Sequence, residues 1–256
     1  MGTFALSERE LVLIDSGERP DEEFTAFFKD NGLSVRAVLC THLHPDHVAN
    51  NFALYEKYGC EIFLPQERFL FKEERAYPYK TITAHSINIC GAEIGVIRTP
   101  GHSPGHVAYV TPDGVCCVGD ALISQPLLGF SKMPYLEDVE QAILSMEKLR
   151  TLPYEHYIIA HRTQVTKNEL DALIDANIQK ELELYDKLRR YIAEPMDMEQ
   201  AVSGFMAELG ISPKMQASRP MRETVKARIR TLAEAGELCI ADGRVIKRRT
   251  DSHVGL

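Results

Sequence analysis

Residues 38–47, Val38-Leu39-Cys40-Thr41-His42-Leu43-His44-Pro45-Asp46-His47, place three imidazoles and a carboxylate within six positions, directly after an apolar run that reads as a strand. The cluster therefore sits in a loop at a strand end. Metal coordination accounts for such crowding: neutral imidazole and carboxylate are the ligands that intermediate divalent ions prefer, and clustering them without an ion costs desolvation. Pro45 stiffens the turn. His42 and His44, two positions apart, can face one ion, while Asp46 and His47, beyond the proline, can turn toward a second. A solvated polar loop is the competing reading.

Three more stations follow the same plan. Thr99-Pro100-Gly101-His102-Ser103-Pro104-Gly105-His106 follows the apolar run Ile94 to Ile97, and its glycines permit a tight turn that aims one imidazole. Val118-Gly119-Asp120 ends another run with a carboxylate, whose two oxygens can bridge two ions. His161 ends Tyr157-Ile158-Ile159-Ala160. His106 is read as structural or surface, with support of the site as the alternative; His85, His156 and His253 are read as structural or surface residues. Tyr77 and Tyr79 are read as plain loop aromatics, with a place at a pocket mouth as the alternative.

Around these stations the first half alternates short strand-like and helical patterns. Glu10 to Ile14, Arg36 to Cys40, Glu61 to Leu64, Thr81 to Ile89, Glu93 to Arg98, His106 to Val110, Val115 to Val118 and His156 to Ala160 read as strands. Helices are expected at Phe24, Phe27 and Phe28, over Phe52 to Tyr58, and around Val139, Ile143 and Met146. A long helical pattern runs from Lys167 to Ile192 and stops at Pro195. Two shorter helices follow, Asp197 to Leu209 and about Met221 to Ala235, then a hairpin of Leu238 to Ala241 and Arg244 to Lys247 around Asp242-Gly243, a pair suited to a type I′ turn. Helix, helix and hairpin in this order predict a winged-helix-like module over 194–256, behind a main unit over 1–193.

The ordered set H-x-H-x-D-H, a lone His, an Asp and a final His resembles the signature of the metallo-β-lactamase superfamily, over about residues 2 to 190. The resemblance implies the α+β class, a four-layer αββα sandwich, with the small helical, winged-helix-like domain appended. It implies that His42, His44 and His102 hold one ion, that Asp46, His47 and His161 hold the other, and that Asp120 bridges. Val12-Leu13-Ile14-Asp15-Ser16-Gly17 looks like the family's early strand, whose Asp supports the site from behind, a role thereby expected of Asp15. Three departures stand out. Family members usually carry an extra strand or hairpin ahead of Gly2-Thr3-Phe4, so a shortened sheet edge is expected. The final His lies in Ala160-His161-Arg162 rather than between glycines, and Asn50 and Asn51 replace frequent glycines.

The activity so implied is hydrolysis by water that two divalent metal ions activate, with zinc favoured and iron or manganese open, Asp46 orienting the attacking group and no Ser or Cys nucleophile required. A small-molecule thioester or lactone is the leading substrate class, the likeness to glyoxalase II being at the level of motif. The alternative is an endoribonuclease or phosphodiesterase, because the terminal module resembles the winged-helix appendage of lactamase-beta-like endoribonucleases. Lys226, Arg230, Arg244, Lys247, Arg248 and Arg249 are its candidate phosphate contacts, against a solvated basic face. A mononuclear iron persulfide dioxygenase is a third reading, disfavoured by the complete second ligand set. Association into a homodimer stays open.

Charge separates these readings only in part. Residues 211–249 carry ten Lys/Arg against four Asp/Glu, while the rest of the chain has 19 against 33, so the net charge of −8 conceals a basic end. The acidic remainder argues against broad polyanion binding by the main body. Six cysteines lack paired spacing and most fall in apolar runs, the pattern of reduced core thiols; adjacent Cys116 and Cys117 would face opposite sides of a sheet. No apolar stretch reaches membrane-spanning length and the start is unlike a secretory signal, so a cytoplasmic protein with no membrane partner is expected.

Overall fold

Val12 and Ile14 point to one side of their strand and Leu11 and Leu13 to the other, and this alternation builds the molecule in layers. The computed structural model describes residues 2–5, 7, 9–18, 22–66, 77–161 and 163–247. Its first half comprises β1 (Gly2–Ala5), β2 (Glu10–Ile14), α1 (Glu22–Asp30), β3 (Ser34–Leu39), α2 (Pro45–Val48), α3 (Asn51–Tyr58), β4 (Glu61–Pro65) and β5 (Lys80–Ile82). These strands form a five-stranded sheet in the order β1-β2-β3-β4-β5, parallel except for β1. Gly2–Ala5, for which no strand was expected, is thus the sheet's edge.

The second sheet is six-stranded, ordered β11-β10-β9-β8-β7-β6. Its strands are β6 (Ser86–Ile89), β7 (Ala92–Arg98), β8 (Val107–Val110), β9 (Val115–Gly119), β10 (His156–Ile159) and β11 (Thr163–Thr166), and α4 (Gln125–Phe130), α5 (Val139–Arg150) and α6 (Lys167–Tyr191) belong to the same half. Val12, Ile14, Leu39 and Phe63 of the first sheet meet Ile94, Val96, Tyr109 and Cys117 of the second to fill the space between them. Outside the first sheet, Leu11, Leu13, Val38 and Ile62 pack with Phe28 and with Leu54 and Tyr55 of α3. Outside the second, Cys116 and Val118 pack under Met146, Leu149, Leu170 and Ile174. The four layers α, β, β, α follow, with Cys116 and Cys117 on opposite faces as their adjacency requires. Burial pushes both thiols up to about 12, so they remain neutral.

Beyond α6 come β12 (Met196–Asp197), α7 (Met198–Glu208), α8 (Pro213–Gln216), α9 (Arg219–Glu234), β13 (Leu238–Ala241) and β14 (Arg244–Lys247). Asp242 and Gly243 both take positive φ, 50° and 74°, as a type I′ hairpin demands. Val202, Phe205, Val225, Ile229 and Leu232 join the same apolar cluster as α5 and α6, so these helices close the outer layer of the second sheet. Of the basic residues proposed to meet phosphate, Lys226 pairs with Glu199 and Glu223, and Arg230 approaches Glu223. Arg248, Arg249 and His253 lie outside the described residues. Among the described residues no helix is long and apolar enough to cross a membrane.

Candidate metal centre

Each of the four stations does lie just past a strand: His42 and His44 after β3, His102 after β7, Asp120 after β9 and His161 after β10. His44 is the extended N-cap of α2, whose Pro45 starts the turn that carries Asp46 and His47. The His102 loop is tied to the start of α5. Gly101 O accepts from the backbone N–H groups of Glu137 and Asp138, at 2.9 and 3.0 Å, and Ser145 Oγ donates to Pro100 O at 2.7 Å.

The side chains then converge in two groups, His42, His44 and His102 in one and Asp46, His47, Asp120 and His161 in the other; within each, the donor atoms lie within 4.8 Å of one another. Nε2 of His42 and Nε2 of His102 stand 3.0 and 2.9 Å from Nδ1 of His44. Asp120 touches both groups: Oδ2 is 3.5 Å from His102 Nε2 and 3.6 Å from His47 Nε2, while Oδ1 is 3.4 Å from His161 Nε2. Asp46 Oδ2 lies 3.5 Å from His47 Nε2 and 3.9 Å from that of His161. All seven residues singled out in the sequence are therefore brought together.

What aims the imidazoles lies behind them. Asp15, buried and at φ 61°, accepts from Thr41 N at 2.7 Å, from Thr41 Oγ1, and from His47 Nδ1 at 2.8 Å. Thr41 Oγ1, having donated to Asp15, is left to accept from His42 Nδ1 at 3.0 Å. His102 Nδ1 donates to the Tyr135 carbonyl at 3.1 Å. With Nδ1 so engaged, His42, His47 and His102 each turn Nε2 into the cluster, the division of labour expected of ligating histidines.

Burial, helped by the neighbouring imidazoles, pushes His42 well below the ordinary histidine value; burial also brings His44 down to about 4 and lowers His102. These three are neutral at pH 7, with lone pairs free. His47 behaves oppositely: burial, which lowers it, is outweighed by the carboxylates of Asp15, Asp120 and Asp46, and its pKa rises well above the usual value. Contact with Asp120 raises His161 too. Asp120 is held well below the carboxylate range, because His161, His47 and His102 outweigh burial.

A profile of the metallo-beta-lactamase superfamily matches residues 3–161, more than half of the chain. The chain belongs to the metallo-beta-lactamase superfamily, a family of metallohydrolases. Among relatives, a hydroxyacylglutathione hydrolase of Idiomarina loihiensis is 27% identical over 205 residues, covering 77% of this chain and 76% of its own length. Another from Prochlorococcus marinus is 25% identical over 173 residues; the aligned part spans about two thirds of each chain, 66% of both. In fold, a metallo-beta-lactamase family protein of Thermus thermophilus aligns with TM-score 0.72 at 18% identity, over 93% of this chain and 90% of that one. The protein TTHA1623, solved in a di-iron-bound form, aligns with TM-score 0.51 and 29% identity over 63% of this chain and 86% of its own.

Two residues that the sequence reading did not place in the site belong to its surroundings. His106, read as structural or surface, is buried with its ring 5.1 Å from that of His42; its Nε2 accepts from the Asp120 backbone N–H at 3.2 Å, so Nδ1 carries the proton and meets Thr99 Oγ1. It fixes the main chain of Asp120. Gly105-His106 in the second loop was its only sequence signal. Tyr135 stacks edge-on against His44 and His102, whereas Tyr77 accepts from Asn51 and packs in the outer layer of the first sheet. Asn50, in place of a glycine, donates to Ser16 O at 2.8 Å and so ties α3 to the Asp15 turn.

Gly119 explains why no side chain precedes Asp120. At φ 54°, a Cβ there would lie 2.8 Å from Thr41 Oγ1 and 2.9 Å from His106 Nε2, both already committed to hydrogen bonds. Gly119→Ala is expected to destabilise the protein by about 1–3 kcal/mol and to weaken metal retention. Urea unfolding read beside metal content checks this; an unchanged midpoint contradicts it.

Proposed function

We propose that the chain is a dinuclear metal-dependent hydrolase acting on a small thioester or lactone, with His42, His44 and His102 holding one ion, Asp46, His47 and His161 the other, and Asp120 bridging. The observation that carries this reading is a pair of orphaned atoms. His47 Nε2 and Asp120 Oδ1 are buried in the cluster without a hydrogen-bond partner, an arrangement that costs free energy unless a cation completes it. The donor set, imidazole with carboxylate, suits zinc first, with iron and manganese also compatible. When bound, two such ions would lower the pKa of water to about 7 and polarise the attacked oxygen.

The chain's own part is orientation and proton handling. Asp15 holds Thr41 and His47, and through Thr41 it holds His42. Asp46, its side chain 38% exposed, is the open carboxylate of the set and takes the hydrogen bond of the attacking water. Its pKa is lowered because His47 outweighs burial, so it is an acceptor at neutral pH. The 29% identity to a protein with a di-iron form supports the two-ion reading, and the hydroxyacylglutathione hydrolases support thioesters. Cleavage of RNA is the weaker reading, because Lys226 and Arg230 face acidic neighbours of their own. We take residues 1–193 as the catalytic unit and 194–256 as a winged-helix-like unit built onto it. The six free cysteines favour a reducing, cytoplasmic setting.

Metal analysis followed by a panel of thioester, lactone, phosphodiester and RNA substrates tests the assignment. About two ions per chain with thioester or lactone turnover is expected; one iron with oxygen consumption on a persulfide, or RNA cleavage alone, sinks it. The pKa directions add a sharper expectation. Because burial lowers His42, His44 and His102 while neighbouring carboxylates raise His47 and His161, acid competes at the second group first. Lowering the pH from about 8 toward about 5 should release one ion before the other, and loading the second should liberate protons. Calorimetric titrations in buffers of different ionisation enthalpy measure both; release of the two ions together would contradict it.

A further inference from the structure

A cavity of about 360 Å³ opens directly onto His102, Asp120 and His161. Its walls are of another character: they are mainly apolar, with Leu122, Leu127, Phe130 and Pro134 among them, and Ser124, Ser131 and Tyr135 add neutral polar atoms. No Lys or Arg is among the described lining residues. The wall is held in place. Leu122 is buried in the outer core, and Asn177, buried on α6, grips the next residue from both sides, accepting from Ile123 N and donating to Ile123 O, each at 2.9 Å. Helix α4 then forms an apolar lip, with Leu127 38% and Phe130 83% exposed.

We propose that this cavity holds an uncharged aliphatic acyl group, so that the substrate is a thioester of a medium-length apolar carboxylic acid whose thiol portion lies toward solvent. The inference rests on the reading of the adjoining cluster as a thioester-cleaving centre and names the part of the substrate that centre leaves open. Two features select this occupant. An anionic group such as the glutathionyl moiety needs cationic partners that the described walls do not offer, and burying it against leucine and phenylalanine costs free energy. An alkyl chain gains there instead, because each methylene leaves water for apolar surface. At about 360 Å³ the space lies toward the lower end of small-molecule pockets and suits an alkyl chain of medium length. In the reaction, the oxygen of water bonds to the acyl carbon, the C–S bond breaks, the sulfur leaves with the bonding pair and takes a proton, and acid and thiol result.

The test uses zinc-loaded protein and N-acetylcysteamine thioesters from acetyl to decanoyl, with lactoylglutathione alongside. kcat/KM should climb by about fourfold per methylene from butanoyl to octanoyl, and lactoylglutathione should fall on the order of 100-fold below octanoyl. Leu127→Asp and Phe130→Ser, both at exposed positions of a short helix, should flatten the slope. Octanoate binding, followed by methyl NMR at Leu122 and Leu127, gives a readout independent of turnover. A flat chain-length profile with thioesters still cleaved, or a preference for lactoylglutathione, overturns the acyl cavity and leaves the hydrolase reading standing. Octanoate bound at Leu127 without cleavage of any thioester or lactone does the reverse. A dimer that Phe130→Ser dissociates, with octanoate failing to bind, assigns the lip to a second copy of the chain and also overturns the proposal.

Discussion

Replacing Asp120 with alanine is expected to lower kcat/KM by at least about 10³-fold and to strip the protein of metal, while the fold survives. The proposed bridging carboxylate reaches both proposed ligand sets, through Oδ2 to His102 and His47 and through Oδ1 to His161. Losing it removes a ligand from both ions, and metal charge stabilisation of several kcal/mol converts to the rate loss stated. The fold survives because the residue's structural contact is its backbone N–H, donated to His106, which alanine retains. Asp120→Asn, isosteric but uncharged, should keep the loop in place and still bind metal weakly. Metal content, circular dichroism and turnover on the same preparations separate the possibilities. Undiminished turnover with two ions bound would remove Asp120 from the mechanism.

The clustering of the proposed ligands was legible in the sequence because they are local: a six-residue motif and three strand-end residues carry their chemistry in their types and order. The sheet strands were legible where burial is one-sided or complete. The run Thr81 to Ile89 shows the limit. Read as one strand by its alternation, it is two, because Lys80–Ile82 pairs with β4 in the first sheet and Ser86–Ile89 with β7 in the second. Alternation reports which side chains are buried and is blind to which sheet buries them. β11 escaped notice since Thr163–Thr166 is a polar, half-exposed edge, and α4 since Pro126 and Gly129 sit within its six residues. His106, whose support of the site was only the alternative reading, and Tyr135, which was not read at all, share a different reason: each acts through a partner distant in the chain, Asp120 for the first and His102 for the second. The cavity shares that origin, having walls from α4 and from the loop before α5 above a floor of His102, Asp120 and His161.

Arg228→Met should destabilise the protein by about 3–5 kcal/mol, the cost of leaving Glu181 charged and unpaired in the interior. Arg228 on α9 is fully buried, and its Nη2 lies 2.8 Å from Glu181 Oε1 on α6 and 2.7 Å from Oε2. Nη1 donates to Thr224 O at 2.9 Å, while Nε has no partner. An ion pair so placed is a poor source of net stability, since both charges are desolvated. Replacing both ends, Arg228→Met with Glu181→Leu, should accordingly return most of the loss, and chemical unfolding of the single and double variants measures it. The pair has a second consequence, because Nη2 also donates to Pro134 O at 3.1 Å, and the next carbonyl, Tyr135 O, receives His102 Nδ1. The terminal helices thereby hold the segment that both walls the cavity and aims a proposed ligand. In the double variant, folded but without that strap, zinc affinity should fall about 10- to 100-fold, the usual effect of removing a ligand's outer support. Wild-type affinity in a stable double variant would show that α9 closes the core without helping to set the metal site.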